Sequence, residues 1–555
     1  MSKNDFAGWD KSDLIKEIQR LKKRKKFGLV WEDKPEDVVE KCKNELPVLQ
    51  EIKKNAIVVP KNDADNLLIE GDNYHALSVL NYTHKGKVDV IYIDPPYNTG
   101  AKDWKYNNDY VDINDRFRHS KWLSMMNNRL RISKDLLKKD GVLIAMIDKN
   151  ENGTLLMLLK ELFPAHDITT VVIEHNPKGL PSRNFSDSHE YAHFVIPKGL
   201  SVIGKNPETK EDTRNLRRAG KASFRKERKS MFYPIYVKAG KVVRIGSVPA
   251  DSFHPSKRAK KLRNGEIEIW PIDDAGRERR WHFGLDSIED HIERIEVRET
   301  EDDCQLYVTA VPGRYKTVWT GGEFDAGKYG TTLVKDMVGV EFPFPKSLYA
   351  TAKCLETVIY NRENALVLDY FAGSGTTGHA VLHLNDKYKS NHRFILCTNN
   401  ENNISETITH PRLTAAIKGY KTDKSKIPGL RSTGIRYYRT SFVAAASTDK
   451  NKVALTLKAT EMLCIKESTY SEVYSDDSYK IFSSGDKRRF TGIIYDHLAI
   501  DAFKKRISKL EGKFSVYIFS LGDDSFDDEF NDLRGKVKLS PIPEAILRVY
   551  RRIFK

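Results

Sequence analysis

A carboxylate, two prolines and an aromatic ring stand together at Asp94-Pro95-Pro96-Tyr97, directly after the apolar run Val90-Ile-Tyr-Ile93. Each proline fixes φ at about −65° and lacks an N–H, so the carbonyls of Asp94 and Pro95 are kept out of regular sheet or helix pairing. Asp94 Oδ and the Pro95 carbonyl then form a rigid pair of acceptors, suited to the two hydrogens of an exocyclic amino group. The Tyr97 ring can stack on a planar base. The bland alternative is a Pro-Pro turn at a sheet edge. A second group, Leu366-Val-Leu-Asp369-Tyr-Phe371-Ala-Gly373-Ser374-Gly375-Thr376-Thr-Gly378, reads as strand, glycine turn and helix and formally satisfies G-x-G-x-x-G. Glycine lets the backbone turn tightly and approach a ligand, and a helix N-terminus offers free N–H groups to a carboxylate or phosphate. The motif points to a nucleotide-type pocket and to no particular cofactor; a tight turn without a ligand is its structural alternative. No G-x-x-x-x-G-K-[ST] occurs, so a motor ATPase would have to be another subunit.

These residues need elements to position them. Asn66–Ile69, Val88–Ile93 and Gly141–Ile147 read as strands, with helices over Asn73–Leu80 and around Ser120–Lys138 between them. The same rhythm resumes after Phe342: helix Ser347–Val358, strand Ala365–Asp369, helix Thr376–Leu384, strand Arg393–Cys397. Strands alternating with helices predict an α/β, doubly wound parallel sheet. The stretch 166–330, rich in Gly, Pro, Arg and Lys with short β-like pieces, reads as a mostly β insertion between the halves 61–165 and 331–440. Residues 1–60 read as a docking segment, with a helix over 12–26 capped by Ser12, and 441–555 as a C-terminal α+β domain with a helix near Val453–Ile465.

Composition narrows the class. The chain has 555 residues and 93 Lys+Arg against 77 Asp+Glu, a formal charge of +16, which favours an anionic partner such as nucleic acid. No apolar stretch approaches the ~20 residues of a membrane span, and the start is charged, so a soluble, unsecreted protein is expected. The five cysteines form no C-x-x-C pair, so neither a metal site nor a disulfide framework is expected, and a reducing cytoplasm fits.

The two motifs, in this order, resemble those of β-class S-adenosylmethionine-dependent DNA amino-methyltransferases. The longer strings Asp94-Pro-Pro-Tyr-Asn-Thr-Gly100, Ile147-Asp-Lys-Asn-Glu151, Ser188-His-Glu-Tyr191 and Phe232-Tyr-Pro-Ile-Tyr236 are similar to the modification (Mod) subunit of type III restriction-modification systems, adenine-N6 specific. That resemblance covers roughly residues 10–440 and implies a Rossmann-like methyltransferase sheet with an inserted target-recognition domain. It implies that Asp94, Pro95, Pro96 and Tyr97 are catalytic and hold a flipped adenine. S-adenosyl-L-methionine would be held by Phe371, Gly373, Ser374, Gly375 and Thr376, with Asp369, Lys346 and Asp72. Asp72 is equally a helix N-cap, and Ser347 stands where the family has proline. The ribose is expected at Glu401, because Thr398-Asn-Asn-Glu401 lacks the family's acidic residue directly after the strand. Double-stranded DNA would be contacted by Tyr191, Arg217, Arg218, Arg225, Lys226, Arg279 and Arg280. The N-terminal helix and the part after 440 are the expected surfaces for a homodimer or for an ATP-dependent restriction (Res) subunit, in a bacterial or phage-encoded system. Cytosine-N4 methylation, an RNA substrate, and a recognition subunit serving mainly a partner nuclease remain open.

Overall fold

The computed structural model describes residues 9–23, 29–57, 66–107, 109–181, 183–207, 213–300, 303–309, 313–423, 425–430, 433–522, 524 and 526–554. The chain divides into two compact units, residues 205–315 and the remainder.

The main sheet of the larger unit has ten strands among the described residues. In chain order they are β1 (Glu45–Glu51), β2 (Asn66–Glu70), β3 (Val88–Ile93), β4 (Leu137–Ile147), β5 (His166–Ile173), β6 (Glu190–Pro197), β7 (Val318–Trp319), β8 (Leu366–Asp369), β9 (Arg393–Thr398) and β10 (Ile435–Ala444). They lie side by side in the order β1-β10-β2-β9-β8-β3-β4-β6-β5-β7. Every neighbouring pair from β10 to β4 is parallel. β6 runs antiparallel to both its neighbours, and β1 closes the other edge antiparallel. A parallel sheet must be covered on both faces, and the period-two alternation does this. Ile91 and Ile93 of β3 and Leu143 and Ala145 of β4 enter one core. Val90, Tyr92, Val142 and Ile144 enter the opposite one. Helices Asn73–Thr83, Arg118–Lys134 and Asn152–Leu162 cover the first face, and Leu348–Ile359, Thr376–Tyr388 and His410–Lys418 the second.

Several boundaries differ from the sequence reading. His166–Ile173, Glu190–Pro197 and Val318–Trp319, read as insertion, are strands of the main sheet. Polar residues interrupt the first two (His166, Asp167, Thr169 and Thr170; Glu190 and His193) and the third is two residues long, so propensity alone does not separate them from the loops beyond. The compact insertion is 205–315. Glu45–Glu51, read as docking segment, is likewise an edge strand. The first helix is Lys11–Lys23; it begins earlier than Ser12 predicts because Asp10 Oδ1 accepts the amide of Asp13 at 2.8 Å, and residues 24–26 lie outside the described residues. The helix expected near Val453–Ile465 is two, Asp449–Lys458 and Thr460–Glu467, divided at Ala459.

The last hundred residues form a five-stranded sheet, Ser471–Ser475, Tyr479–Ser483, Arg489–Ile494, Lys513–Phe519 and Val537–Ile542, with two antiparallel and two parallel pairings. The closing helix Glu544–Ile553 brings Tyr550 into the main core, its hydroxyl donating to the Pro47 carbonyl. The insertion has its own core, with Leu216, Tyr233, Ile235, Ile269, Trp281, Leu306 and Val308 between a three-stranded and a four-stranded sheet. Among the described residues no helix is long and apolar enough to cross a membrane.

Candidate active site

β3 and β8 are direct neighbours, with Val90 opposite Val367 and Ile91 opposite Leu368. The chain proceeds from β3 to β4 in one direction along the sheet and from β8 to β9 in the other. The loops leaving β3 and β8 therefore meet where strand order reverses, the place at which an open α/β sheet has a crevice. Two motifs 275 positions apart in sequence thereby become one site (Asp94 and Asp369).

On the β3 side, Asp94 Oδ1 is buried and forms an ion pair with Lys346 Nζ at 3.1 Å. Burial pushes the Asp94 carboxyl up; the Lys346 ammonium opposes the rise and the Glu190 carboxylate adds to it. The loop that carries it is fixed by its neighbours. Trp122 Nε1 donates to the Pro96 carbonyl at 2.7 Å, Asn98 Nδ2 donates to Glu151 Oε1 at 2.6 Å, and Trp104 Nε1 donates to Asn98 Oδ1 at 3.1 Å. Asn98 adopts φ +56°, a left-handed conformation that asparagine tolerates better than most side chains. The Tyr97 hydroxyl donates to Glu190 Oε2 at 3.0 Å, and Lys346 Nζ stands 4.3 Å from the centre of the Tyr97 ring. Lys346, expected among the cofactor contacts, thus meets the carboxylates of Asp94 and Glu190. Burial works against its charge, but those two carboxylates push the ammonium up to about 12.

On the β8 side, Asp369 is buried and accepts from the Phe371 amide at 2.8 Å and from Thr377 Oγ1 at 2.6 Å; burial pushes its carboxyl up to about 7. Gly373 and Gly375 take φ +48° and +80°. A Cβ on Gly373 would meet nothing nearer than the Phe371 carbonyl at 3.9 Å, so a ligand can come up to the backbone there. Gly375 precedes helix Thr376–Tyr388, and no side chain caps that helix, which suits its first amides to a carboxylate. The hydroxyls of Ser374 and Thr376, expected to face a cofactor, are engaged by Arg412 Nη1 at 2.9 and 2.7 Å. Arg412 is fully buried and burial pushes it down to about 9.

The remaining expected contacts divide. Asp72 is the N-cap of helix Asn73–Thr83, accepting from Tyr74 N at 2.8 Å, and it lies 3.4 Å from Arg129 Nη2. Glu401 is paired with Lys105 at 2.5 Å. Tyr191 is half-buried, its hydroxyl 3.1 Å from His189 Nε2. In the insertion, Arg218 and Lys226 are exposed and Arg217 is half-buried. Arg225, Arg279 and Arg280 are buried, contrary to the expectation of free DNA-facing cations. Arg225 pairs with Glu278 at 3.0 Å, and Arg279 with Asp273 at 2.8 Å while stacking on Phe224. Arg280 donates to the Ala222 carbonyl at 3.2 Å. Glu190, Glu151 and Arg412 were not singled out as site residues. The first two lie in strings that stand out in the sequence; nothing around Arg412 marks it. No group of three or more His, Cys, Asp or Glu side chains that could hold a metal occurs among the described residues.

A family model described as DNA methylase (N6_N4_Mtase) matches residues 88–409, more than half of the chain. The EcoPI Mod subunit of a type III restriction-modification enzyme, from Escherichia phage P1, is 28% identical over 394 residues, covering 62% of this chain and 59% of that protein. The type II methyltransferase M.KpnI of Klebsiella pneumoniae is 27% identical over 405 residues, covering 69% and 90%. The probable HindVI Mod subunit of Haemophilus influenzae is 37% identical over 182 residues, covering 31% and 23%. The matched region thus spans just under three fifths of the EcoPI Mod subunit.

Proposed function

Since this chain belongs to the N6_N4_Mtase family of DNA methylases, we propose that it methylates adenine N6 in double-stranded DNA, using S-adenosyl-L-methionine, as the modification and recognition subunit of a type III-like restriction-modification system. The observation that carries the reading is Asp94 at the end of β3, beside the glycine loop of β8, its buried Oδ1 paired with an ammonium that it must share with Glu190. Two buried carboxylates that share one ammonium are incompletely compensated, which favours a ligand that donates hydrogens to one of them.

The cofactor would supply an electrophilic sulfonium methyl group. The residues present fit it: Gly373 leaves room at the backbone, the uncapped helix after Gly375 suits a carboxylate, and Asp369, Phe371 and Asp72 line the turns nearby. Glu401 would reach the ribose on release from Lys105. For the base, Asp94 and the Pro95 carbonyl accept the two N6 hydrogens and aim the lone pair, and alignment at about 3–3.5 Å supplies much of the rate. N6 lies inside the duplex, so the adenine is flipped out at a cost of a few kcal/mol, part of which stacking on Tyr97 offsets. The Lys346 ammonium covers a face of that ring, so a base that stacks on this face must displace it.

The similarity to Mod subunits supports a Res subunit as partner, and the exposed insertion cations support DNA contact. Asp94→Ala should lower methyl transfer to duplex DNA by at least about 100-fold with cofactor affinity retained. Undiminished transfer would overturn the assignment. Digesting the product to nucleosides identifies the base: N6-methyladenine is expected, and N4-methylcytosine would move the reading to the other amine.

A further inference from the structure

Glu190 begins β6, is 2% exposed, and is used by none of the roles above. Its Oε2 accepts the Tyr97 hydroxyl at 3.0 Å and lies 3.1 Å from Lys346 Nζ, which is also 3.1 Å from Asp94 Oδ1. One ammonium thus stands between two carboxylates. Were Lys346 paired with Asp94 alone, its charge would cancel the one acceptor the reaction needs.

We propose that Glu190 is a positioning residue that keeps Asp94 available as acceptor for the proton shed by the target amine, by sharing Lys346 and anchoring the Tyr97 hydroxyl. The inference rests on the methyl-transfer reading above. An exocyclic amine carries two hydrogens; when its nitrogen gains a methyl substituent it bears one proton too many. An N–H bond then breaks with its electron pair staying on nitrogen, an O–H bond forms on an Asp94 Oδ, and the proton passes on to water. No further reactant is needed.

The surroundings of Asp94 agree with this. Tyr92 faces it from its own strand, Tyr97 from the loop, Glu190 from β6, Asp369 from β8 and Lys346 from the segment before helix Leu348–Ile359. Asp148, after β4, faces Lys346. Lys346 is the single cation among these groups, against four carboxylates including Asp94. Burial and the Glu190 charge both raise the proton affinity of Asp94, with Lys346 acting against them. An amide at position 190 could still take the Tyr97 hydrogen bond but would release the full ammonium to Asp94.

The test is an infrared titration of the ligand-free full chain, following the carboxyl band that disappears in Asp94→Asn, together with the pH profile of single-turnover methylation. In Glu190→Gln the Asp94 midpoint should fall by about one unit. The acid limb of the rate should fall with it, and the plateau rate should drop roughly tenfold or more, with cofactor and DNA affinities unchanged. Glu190→Asp keeps the charge but withdraws it from the ammonium, so a smaller shift in the same direction is expected, and this variant decides the matter if glutamine prevents folding. An Asp94 midpoint that stays put or rises in the folded variants overturns the proposal, as does an unchanged plateau. A wild-type chain that methylates no base would instead refute the function proposed above, and the ligand-free titration would still report on Glu190.

Discussion

Buried charge is handled in opposite ways in the insertion and at the candidate active site. In the insertion, buried Arg225 meets Glu278 and buried Arg279 meets Asp273, each within 3.0 Å, with backbone carbonyls taking further guanidinium hydrogens. At the candidate site one ammonium, Lys346, serves both Asp94 and Glu190, and Asp369 lies buried with hydroxyl and amide donors only. A buried charge matched by its own counterion can be kept at little net cost, although removing one partner is costly. A surplus of buried carboxylate works against folding and persists where a ligand completes it. Burial of a charged residue is therefore uninformative until its partners are counted.

The strongest way to break this comparison is to remove one carboxylate from each region. Asp273→Ala leaves Arg279 buried without its counterion, and breaking such a pair costs about 3–5 kcal/mol. Hydrogen exchange should show amide protection lost across 205–315 and retained in β3, β4, β8 and β9. Asp94→Asn instead leaves Lys346 and Glu190 as a balanced pair, so protection around β3 should be unchanged or raised. Equal destabilisation by the two substitutions would erase the distinction.

Acidity sharpens it next. Asp369 has its carboxyl raised by burial to about 7, above the roughly 3.9 of an unfolded chain. Its contribution to stability is full below about pH 3.9 and is lost as pH rises through 7. Asp273 is the reverse: burial would raise it, but the Arg277 amide and the Arg279 and Arg277 guanidinium groups win and hold it well below the usual carboxylate range. Its contribution is present above pH 3.9 and is lost only in stronger acid. Between pH 8 and 5, exchange-derived stability should therefore rise around β8 and β9 and stay level in the insertion. Asp369→Asn should flatten the first trend.

Legibility in the sequence followed the same division. The β3 and β8 strands, with Asp94–Tyr97 and Gly373–Gly375 at their ends, could be read because each is a local pattern: an apolar run, then residues that force a turn. Glu190 could not be assigned, since its neighbours Tyr97 and Lys346 are 93 and 156 positions away in sequence, and they meet only because β6 folds back antiparallel on β4. The arginines of the insertion misled for a related reason. A basic run shows charge, but the carboxylates that claim it, Glu278 for Arg225 and Asp273 for Arg279, and the burial that decides the outcome are properties of the folded chain. Asp72 stood midway: its capping geometry was local and is observed, whereas a cofactor contact depends on a ligand.

The smallest expected effect concerns the cations left at the surface. Arg218 and Lys226 are exposed, so replacing either with alanine should change stability by no more than about 0.5 kcal/mol. If the insertion lies along a duplex as proposed, each side chain that neutralises a phosphate contributes about 0.9 to the slope of log affinity against log salt. Fluorescence anisotropy of a labelled duplex over a salt series should then show a shallower slope for Arg218→Ala and Lys226→Ala, with protection of 205–315 intact. Arg225→Ala should do the opposite, losing protection because Glu278 and the Ala250 and Phe253 carbonyls lose their donor. Slopes unchanged in both surface variants would mean that the insertion's exposed charge, like its buried charge, serves the protein alone.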